Sequence, residues 1–296
     1  MTQASNSVRA EHAQFAPFDW GLLLATSLIW GSSFLFVAIG LDAFEPGLVS
    51  FLRVGLGAAT VVFIPGARVA VARADLGKIA IIGFTWMALP LTLFPIAQQW
   101  VDSSVAGMLN SAMPLLTVLI AWSAFATPTG PRRLFGVSVG LVGILLIGIP
   151  EAATAGTDAV GVVLVVVAVG SYGVAVNIAG PLQRQYGSLP VTARALAFAT
   201  VFTAPGGLIG LSGSSFSWSS LAACAAVGIG GTGVAYSLAA TLTGRVGAVR
   251  MSIITYVIPI VAVVLGVAFR DETVSLWAIA GTAVVLVGAY LSSRVD

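Results

Sequence analysis

The sequence predicts an all-α integral membrane protein of ten transmembrane helices, arranged as two five-helix inverted repeats. Three observations predict it. Of the 296 residues, 58% are hydrophobic and only 8% are charged, whereas soluble domains carry about 25% charged residues. The apolar residues fall into ten runs of roughly 20, the length that crosses a bilayer core. Two of the later runs, with the loop between them, repeat two earlier ones at a constant offset, which divides the ten into five per copy.

Such a composition leaves too little polar surface to face water, so the solvent and expected partner is a lipid bilayer. Ten spans use about 200 residues, which leaves no room for a catalytic or nucleic-acid-binding module outside the membrane. His12, the one histidine, lies in the polar N-terminal tail; Cys224, the one cysteine, lies inside an apolar run. A His-based active site, a Cys/His metal site and an intrachain disulfide are therefore excluded. No catalytic residue, metal or cofactor is expected. The first apolar run follows a tail with one basic residue, Arg9, and lacks a small-x-small cleavage pattern. It reads as an uncleaved span and not as a signal peptide.

Charged and Gly/Pro-rich breaks delimit the runs. The tail 1–17 precedes the first span, 18–40, which ends before Asp42 and Glu45. Pro46 opens the second, 46–66, closed by Arg68. The third, 76–97, lies between Asp75 and Asp102, and the fourth, 103–125, runs to a Pro/Gly loop. The fifth, 134–150, starts after Arg132 and Arg133. The sixth, 159–179, follows Asp158. Then come 190–211, 218–240, 247–269 and 274–292, the last after Arg270, Asp271 and Glu272. The two copies are residues 18–150 and 151–296. Runs this long are helices, because a barrel strand spans with about 10 residues.

Charge sets the orientation. With the N-terminus inside, Arg9, Arg68, Arg73, Lys78, Arg132, Arg133, Arg184, Arg245 and Arg294 are cytoplasmic, which is nine of the 13 basic residues. Arg270 alone lies in an outer loop; Arg53, Arg194 and Arg250 lie within or at the ends of spans. This is the positive-inside asymmetry. Both termini are expected inside, at a bacterial-type cytoplasmic membrane. Asp42, Glu45, Asp102, Glu151, Asp158, Asp271 and Glu272 fall on the outer side.

A slide of 145 residues sets Pro114 on Pro259, Gly136 on Gly281, and Leu141-Val142-Gly143 on Leu286-Val287-Gly288, without a gap. Five spans per copy is an odd number, so the second copy enters the membrane upside down. Inverted repeats characterise transporters that alternate access around a midplane site; the bland alternative is that duplication only built a stable bundle.

These residues carry a resemblance. Trp30-Gly31-Ser32-Ser33-Phe34, Arg53, the stretch Ala106 to Leu116 with Pro114, its partner Ser252 to Ile260 with Pro259, and the Gly136 and Gly281 helices stand in an order and spacing that resemble the drug/metabolite transporter superfamily. The resemblance is to its ten-helix EamA-type members and covers about residues 18 to 292. Within it the chain looks similar to the YddG-type aromatic amino-acid exporters. The resemblance implies export of amino acids or related metabolites from the cytoplasm. One departure is the loop after the fourth span. It commonly carries an acidic–basic pair in the family and here reads Thr127-Pro128-Thr129-Gly130-Pro131-Arg132-Arg133.

All 11 acids lie in the tail, in loops or at helix ends, so an embedded mid-span carboxylate by which cation-coupled exporters exchange a proton is not expected. Facilitated diffusion, or coupling through another group, is expected. Gly107, Asn110 and Pro114 share one helix face, as do Ser252, Thr255 and Pro259. The two faces are expected to flank a small-molecule site, with Pro114 and Pro259 as hinges; close helix packing is the alternative. Trp30, Phe34, Trp86, Tyr172 and Tyr236 lie away from the span ends, where Trp and Tyr usually gather, and offer ring faces to an apolar or planar solute. Arg53, about 10 Å into its span, meets a substrate carboxylate or snorkels to Asp42 or Glu45. Asn177 offers a substrate contact or a helix–helix hydrogen bond. Gly228-Ile229-Gly230-Gly231-Thr232-Gly233 reads as close packing or a flexible point. Trp20, Trp100 and Trp277 read as interfacial anchors. The expected activity is an amino-acid or metabolite exporter without catalysis, monomeric unless glycine motifs pair two copies. The competing readings are a multidrug exporter of planar cations, a non-transporting receptor and a lipid-modifying enzyme.

Overall fold

The computed structural model of the chain describes residues 16–153, 159–246, 251 and 253–293. Among the described residues all regular structure is helical. The elements are α1 (Pro17–Leu41), α2 (Pro46–Val62), α3 (Arg73–Ala97), α4 in two pieces (Ser103–Asn110 and Met113–Ala124), and α5 (Pro131–Ala153). They continue as α6 (Ala159–Tyr186), α7 (Ser188–Gly210), α8 (Trp218–Val246), α9 (Ile254–Arg270) and α10 (Leu276–Ser293).

Seven of these are long and apolar enough to cross a bilayer, and the two pieces of α4 make an eighth if they form one span. The other two, α2 and α9, have 17 residues each. At 1.5 Å per residue that is about 25 Å, a little short of the roughly 30 Å hydrocarbon core. α2 ends before its predicted limit because Pro65 has no N–H to continue the helical ladder and opens a short 3₁₀ turn instead. α6 and α8 overrun theirs, because Gln183, Arg184 and Arg245 sustain helical hydrogen bonds outside the apolar stretch.

α4 is not the continuous helix expected over 103–125. Ser111 and Ala112 donate to the carbonyls of Met108 and Leu109, at 3.1 Å each, in tightened turns. The second piece then restarts at Met113 at 46° to the first. Pro114 explains the break: it lacks an N–H, and its ring would strike the carbonyl of Asn110 in a straight helix. Pro259 instead lies inside the unbroken α9.

The two copies pack about a pseudo-two-fold axis that crosses the helices. α5 lies along α10, α2 along α7 and α4 along α9, each element against its own counterpart. The remaining principal contacts come in matched sets: α1–α9 with α6–α4, α1–α8 with α6–α3, and α2–α8 with α7–α3. Close approaches fix the direction. A methyl on Gly136 would lie 2.5 Å from Ser292 N and 2.8 Å from Gly288 O, and one on Gly143 would lie 2.7 Å from Gly281 O. Residue 136 thus meets 288 and 143 meets 281, so α5 and α10 are antiparallel. The same reversal holds where Phe51 meets Gly207 and Gly55 meets Thr200, and where Ser104 meets Gly266 and Gly107 meets Ala262. Glycines matched in the sequence meet at the axis because backbones can touch only where no Cβ stands between them.

Large apolar side chains point outward along the bundle, among them Leu28, Val163, Ile209, Val264 and Ile279. Trp20 and Trp277 are exposed near helix ends, as interfacial anchors would be; Trp100 is half-buried beside Gly161.

Candidate functional site

The bundle has two chemically distinct ends. One carries Asp42, Glu45, Asp102, Asp271 and Glu272 with Arg270; the other carries Arg68, Arg73, Lys78, Arg184 and Arg245. They are called the acidic and the basic end below.

Six aromatic rings from four helices meet in the interior. Trp30 of α1 contacts Tyr236 of α8 edge-on, with ring centroids 5.4 Å apart, and Tyr236 contacts Trp86 of α3 at 5.8 Å. Phe34 of α1 contacts Phe94 of α3 at 5.5 Å, and Phe94 contacts Tyr172 of α6 at 6.4 Å. Trp30–Tyr236, Trp86–Tyr236 and Phe94–Tyr172 each join the first copy to the second. Trp86 packs against three separate clusters of buried side chains, so it stands where they converge. The Trp30 indole donates to Gly231 O at 3.0 Å. The sequence reading named five of these rings. It missed Phe94, whose only signal is its position two turns beyond Trp86 on the same span.

Both α3 and α8 widen into a π-helical segment in this region, Gly83–Ala88 and Ala226–Val234. The 145-residue offset places Gly83 on Gly228, so the irregularity is itself repeated. Segments of this kind concentrate at functional sites. In α8 the glycines let α2 approach: a methyl on Gly228 would lie 3.0 Å from the Arg53 carbonyl oxygen. Thr232 donates its hydroxyl to Val227 O, five residues back, and accepts from Arg53 Nε at 3.4 Å. Arg53 is 8% exposed. It does not reach Asp42 or Glu45 as the snorkelling reading expected. Asp42 is taken by Arg270, and the close fit of α2 on α8 turns the Arg53 side chain toward Thr232.

The other candidates are placed differently. Gly107 is buried against Ala262 and Phe34, where it serves the α4–α9 approach. Asn110 ends the first piece of α4, half-buried. Asn177 donates to Gly173 O of its own helix at 2.8 Å, and not to a neighbouring helix. Thr255 is half-buried on α9, while Ser252 lies outside the described residues. Pro114 sits at the α4 break and Pro259 is buried within α9.

A cavity of about 470 Å³ lies at the acidic end, lined in part by Asp42, Glu45, Gln98, Gln99 and Arg270. Both polar atoms of the Gln98 amide are buried without a hydrogen-bond partner. Arg270 grips Asp42 with two hydrogen bonds, 2.7 and 2.9 Å, tying α9 to the end of α1. Glu272 receives Ser103 N at 3.0 Å, Ser103 Oγ at 2.6 Å and Ser104 N at 2.9 Å, so its charge meets the N-terminal dipole of α4. Partial burial, and then the nearby Glu272 charge, hold the Asp102 carboxyl above its ordinary range, against the opposing pull of Arg270. At the basic end Arg245 pairs with Asp19 and lies over the Phe18 ring, joining α8 to α1. Tyr186 donates to Asp75 at 2.7 Å, joining α6 to α3. Among the described residues no cluster of His, Cys, Asp and Glu is arranged to hold a metal ion.

The profile of the EamA-like transporter family matches residues 20–149 and again residues 159–294. The chain belongs to the EamA-like transporter family. It is 26% identical to a probable terminal-alkyne amino-acid exporter of Streptantibioticus cattleyicolor, over 93% of each chain. It is 21% identical to an uncharacterized transporter of Archaeoglobus fulgidus, over 93% of this chain and 98% of that one. The uncharacterized inner membrane transporter YedA of Escherichia coli matches at 27% identity over 43% of this chain, and the matched part spans 42% of YedA. A crystal structure at 20% identity superposes with a TM-score of 0.61, covering 92% of this chain and 94% of the other, which shows a common fold. This EamA-family chain carries, among the described residues, seven helices long and apolar enough to cross a membrane, and the matched part covers less than half the length of YedA.

Proposed function

We propose that this transporter exports amino acids, aromatic or otherwise apolar, or closely related metabolites across the cytoplasmic membrane by alternating access. The observation that carries the reading is the ring cluster of Trp30, Trp86, Tyr172 and Tyr236 with Phe34 and Phe94. It bridges the two copies in the interior, and a separate cavity lies at the acidic end. Ring faces and edges suit an apolar side chain, and parting the copies opens room between them. Halves 18–150 and 151–296 move against each other about the antiparallel seams. Bending occurs at the Pro114 break and near Pro259, and the matched π segments of α3 and α8 give the moving backbone spare length. Asp42–Arg270 at one end and Asp19–Arg245 at the other both join the copies, and each has to release before its end opens. In this reading the basic end and both termini are cytoplasmic, as the positive-inside rule supports, and the transporter is a monomer. The relative named as an amino-acid exporter supports the substrate class.

The test is counterflow of labelled amino acids into proteoliposomes across a broad panel. Aromatic and apolar amino acids are expected to accumulate, with Trp86→Ala raising KM for them and Asn110→Ala impairing exchange. Silence across the panel would overturn transport in favour of a receptor. Preferential uptake of planar lipophilic cations would overturn the substrate class. Uphill efflux driven by a proton gradient would overturn operation without a carboxylate relay.

A further inference from the structure

Arg53 is the anomaly of the interior. It lies seven residues beyond Pro46, about 10 Å along α2, and is 8% exposed. Among the described residues its hydrogen bond is the one to Thr232, long at 3.4 Å, and it uses Nε alone. Among the described residues the two terminal guanidinium nitrogens, the pair that grips a carboxylate, have no hydrogen bond, and no ion pair includes the residue. Its partner Thr232 follows Gly231, whose carbonyl takes the Trp30 indole, and stands one turn before Tyr236 on α8, which sets Arg53 beside the ring cluster. A buried cation with no counter-ion is costly, and in membrane interiors such residues mark solute pathways.

The fold does not require a charge here. The offset that matches the copies sets Phe198 of α7 at the position equivalent to Arg53. Both positions lie near the matched glycines, Phe198 Cβ against Gly83 and the Arg53 carbonyl oxygen against Gly228. The residue at the matching position in the other copy is thus an apolar ring, stacked on Phe202. What Arg53 adds is a fixed positive charge beside an aromatic wall, in one half only.

We propose that Arg53 anchors the carboxylate of the transported solute through its two free terminal nitrogens, with the rings holding an apolar tail. The proposal rests on the transporter reading above and sharpens it. The ligand class is an apolar monocarboxylate, amino acids included, and the amino group is not what the site requires. A guanidinium fork matches a carboxylate with two parallel hydrogen bonds, and the same charge repels an organic cation.

The test uses purified full-length protein and three probes that share a phenyl ring and differ in the polar end: 3-phenylpropionate, 2-phenylethylammonium and 3-phenylpropan-1-ol. Binding is read by titration calorimetry and by thermal shift for the native protein, Arg53→Lys and Arg53→Met. Native protein is expected to bind the carboxylate well above the alcohol and the ammonium. Arg53→Met is expected to lose at least about 30-fold in carboxylate affinity with the alcohol unchanged, and Arg53→Lys to retain an intermediate affinity. If Arg53→Met does not fold, the native ranking of the probes and the Arg53→Lys affinity decide. No preference for the carboxylate in native protein, or equal carboxylate affinity in Arg53→Met or Arg53→Lys, overturns the proposal. Arg53-dependent binding of phenylpropionate without transport of any amino acid would sink the export reading and leave the anchor. Amino-acid transport untouched by Arg53→Met would do the reverse.

Discussion

Gly143 tests the antiparallel seam on which the two-copy architecture depends. In Gly143→Ala the new methyl would lie 2.6 Å from Val285 N, 2.7 Å from Gly281 O and 2.7 Å from Val285 Cγ2. Ordinary van der Waals contact for such a carbon begins near 3.4 Å, so α5 and α10 must part by roughly 0.7 Å. A gap of that size forfeits about a quarter to a half of each dispersion well along the seam, and overpacking of a fitted interface costs about 1–3 kcal/mol. Against this stands the roughly 1 kcal/mol by which Ala exceeds Gly in a helix. Gly170→Ala in α6 is the control: nothing lies within 4 Å of its methyl, so the same propensity gain arrives without the clash. The two variants should therefore differ by about 1–3 kcal/mol. At about 2–4 °C per kcal/mol for a chain of this order of size, the apparent unfolding temperatures in detergent should separate by several degrees. Gly281→Ala, the counterpart across the axis, should fall with Gly143→Ala. Equal shifts of one sign for Gly143→Ala and Gly170→Ala would refute the seam.

Two further outcomes are expected. Glu272→Ala removes three hydrogen bonds and a negative charge from the start of α4. It should lower the apparent Tm by about 1–3 kcal/mol equivalent, while Glu272→Gln, which keeps an acceptor, loses less; differential scanning fluorimetry separates them. Cys224 is 0% exposed within α8. A membrane-permeant maleimide should leave it unlabelled in the folded protein and modify it only on unfolding, and stoichiometric labelling of native protein would contradict its burial.

Hydrophobicity and charge spacing determined much by themselves, because lipid imposes a simple rule: backbone polar groups must be bonded within each segment. Among the described residues the apolar runs are therefore helical, seven of them long enough to cross a bilayer. The 145-residue echo of Gly136, Gly143, Gly281 and Gly288 foretold the seam, since only backbones without side chains can come that close. Trp30, Trp86, Tyr172 and Tyr236 stood out because aromatic residues with polar tips are unusual away from the membrane interface.

Other features only the tertiary structure decided. Pro114 and Pro259 are equivalent in sequence, yet a helical piece restarts one residue before Pro114 while Pro259 lies five residues inside α9. Phe94 is one apolar residue among many until Phe34 and Tyr172 close on it from α1 and α6. The partner of Arg53 was decided across α2 and α8: Asp42 and Glu45 are near in sequence, but Arg270 holds Asp42 and Gly228 brings the Arg53 backbone against α8. Local periodicity reports which face of a helix is apolar. Which charge is left without a counter-ion depends on contacts between segments far apart in the chain, and those exist only once the two copies have packed.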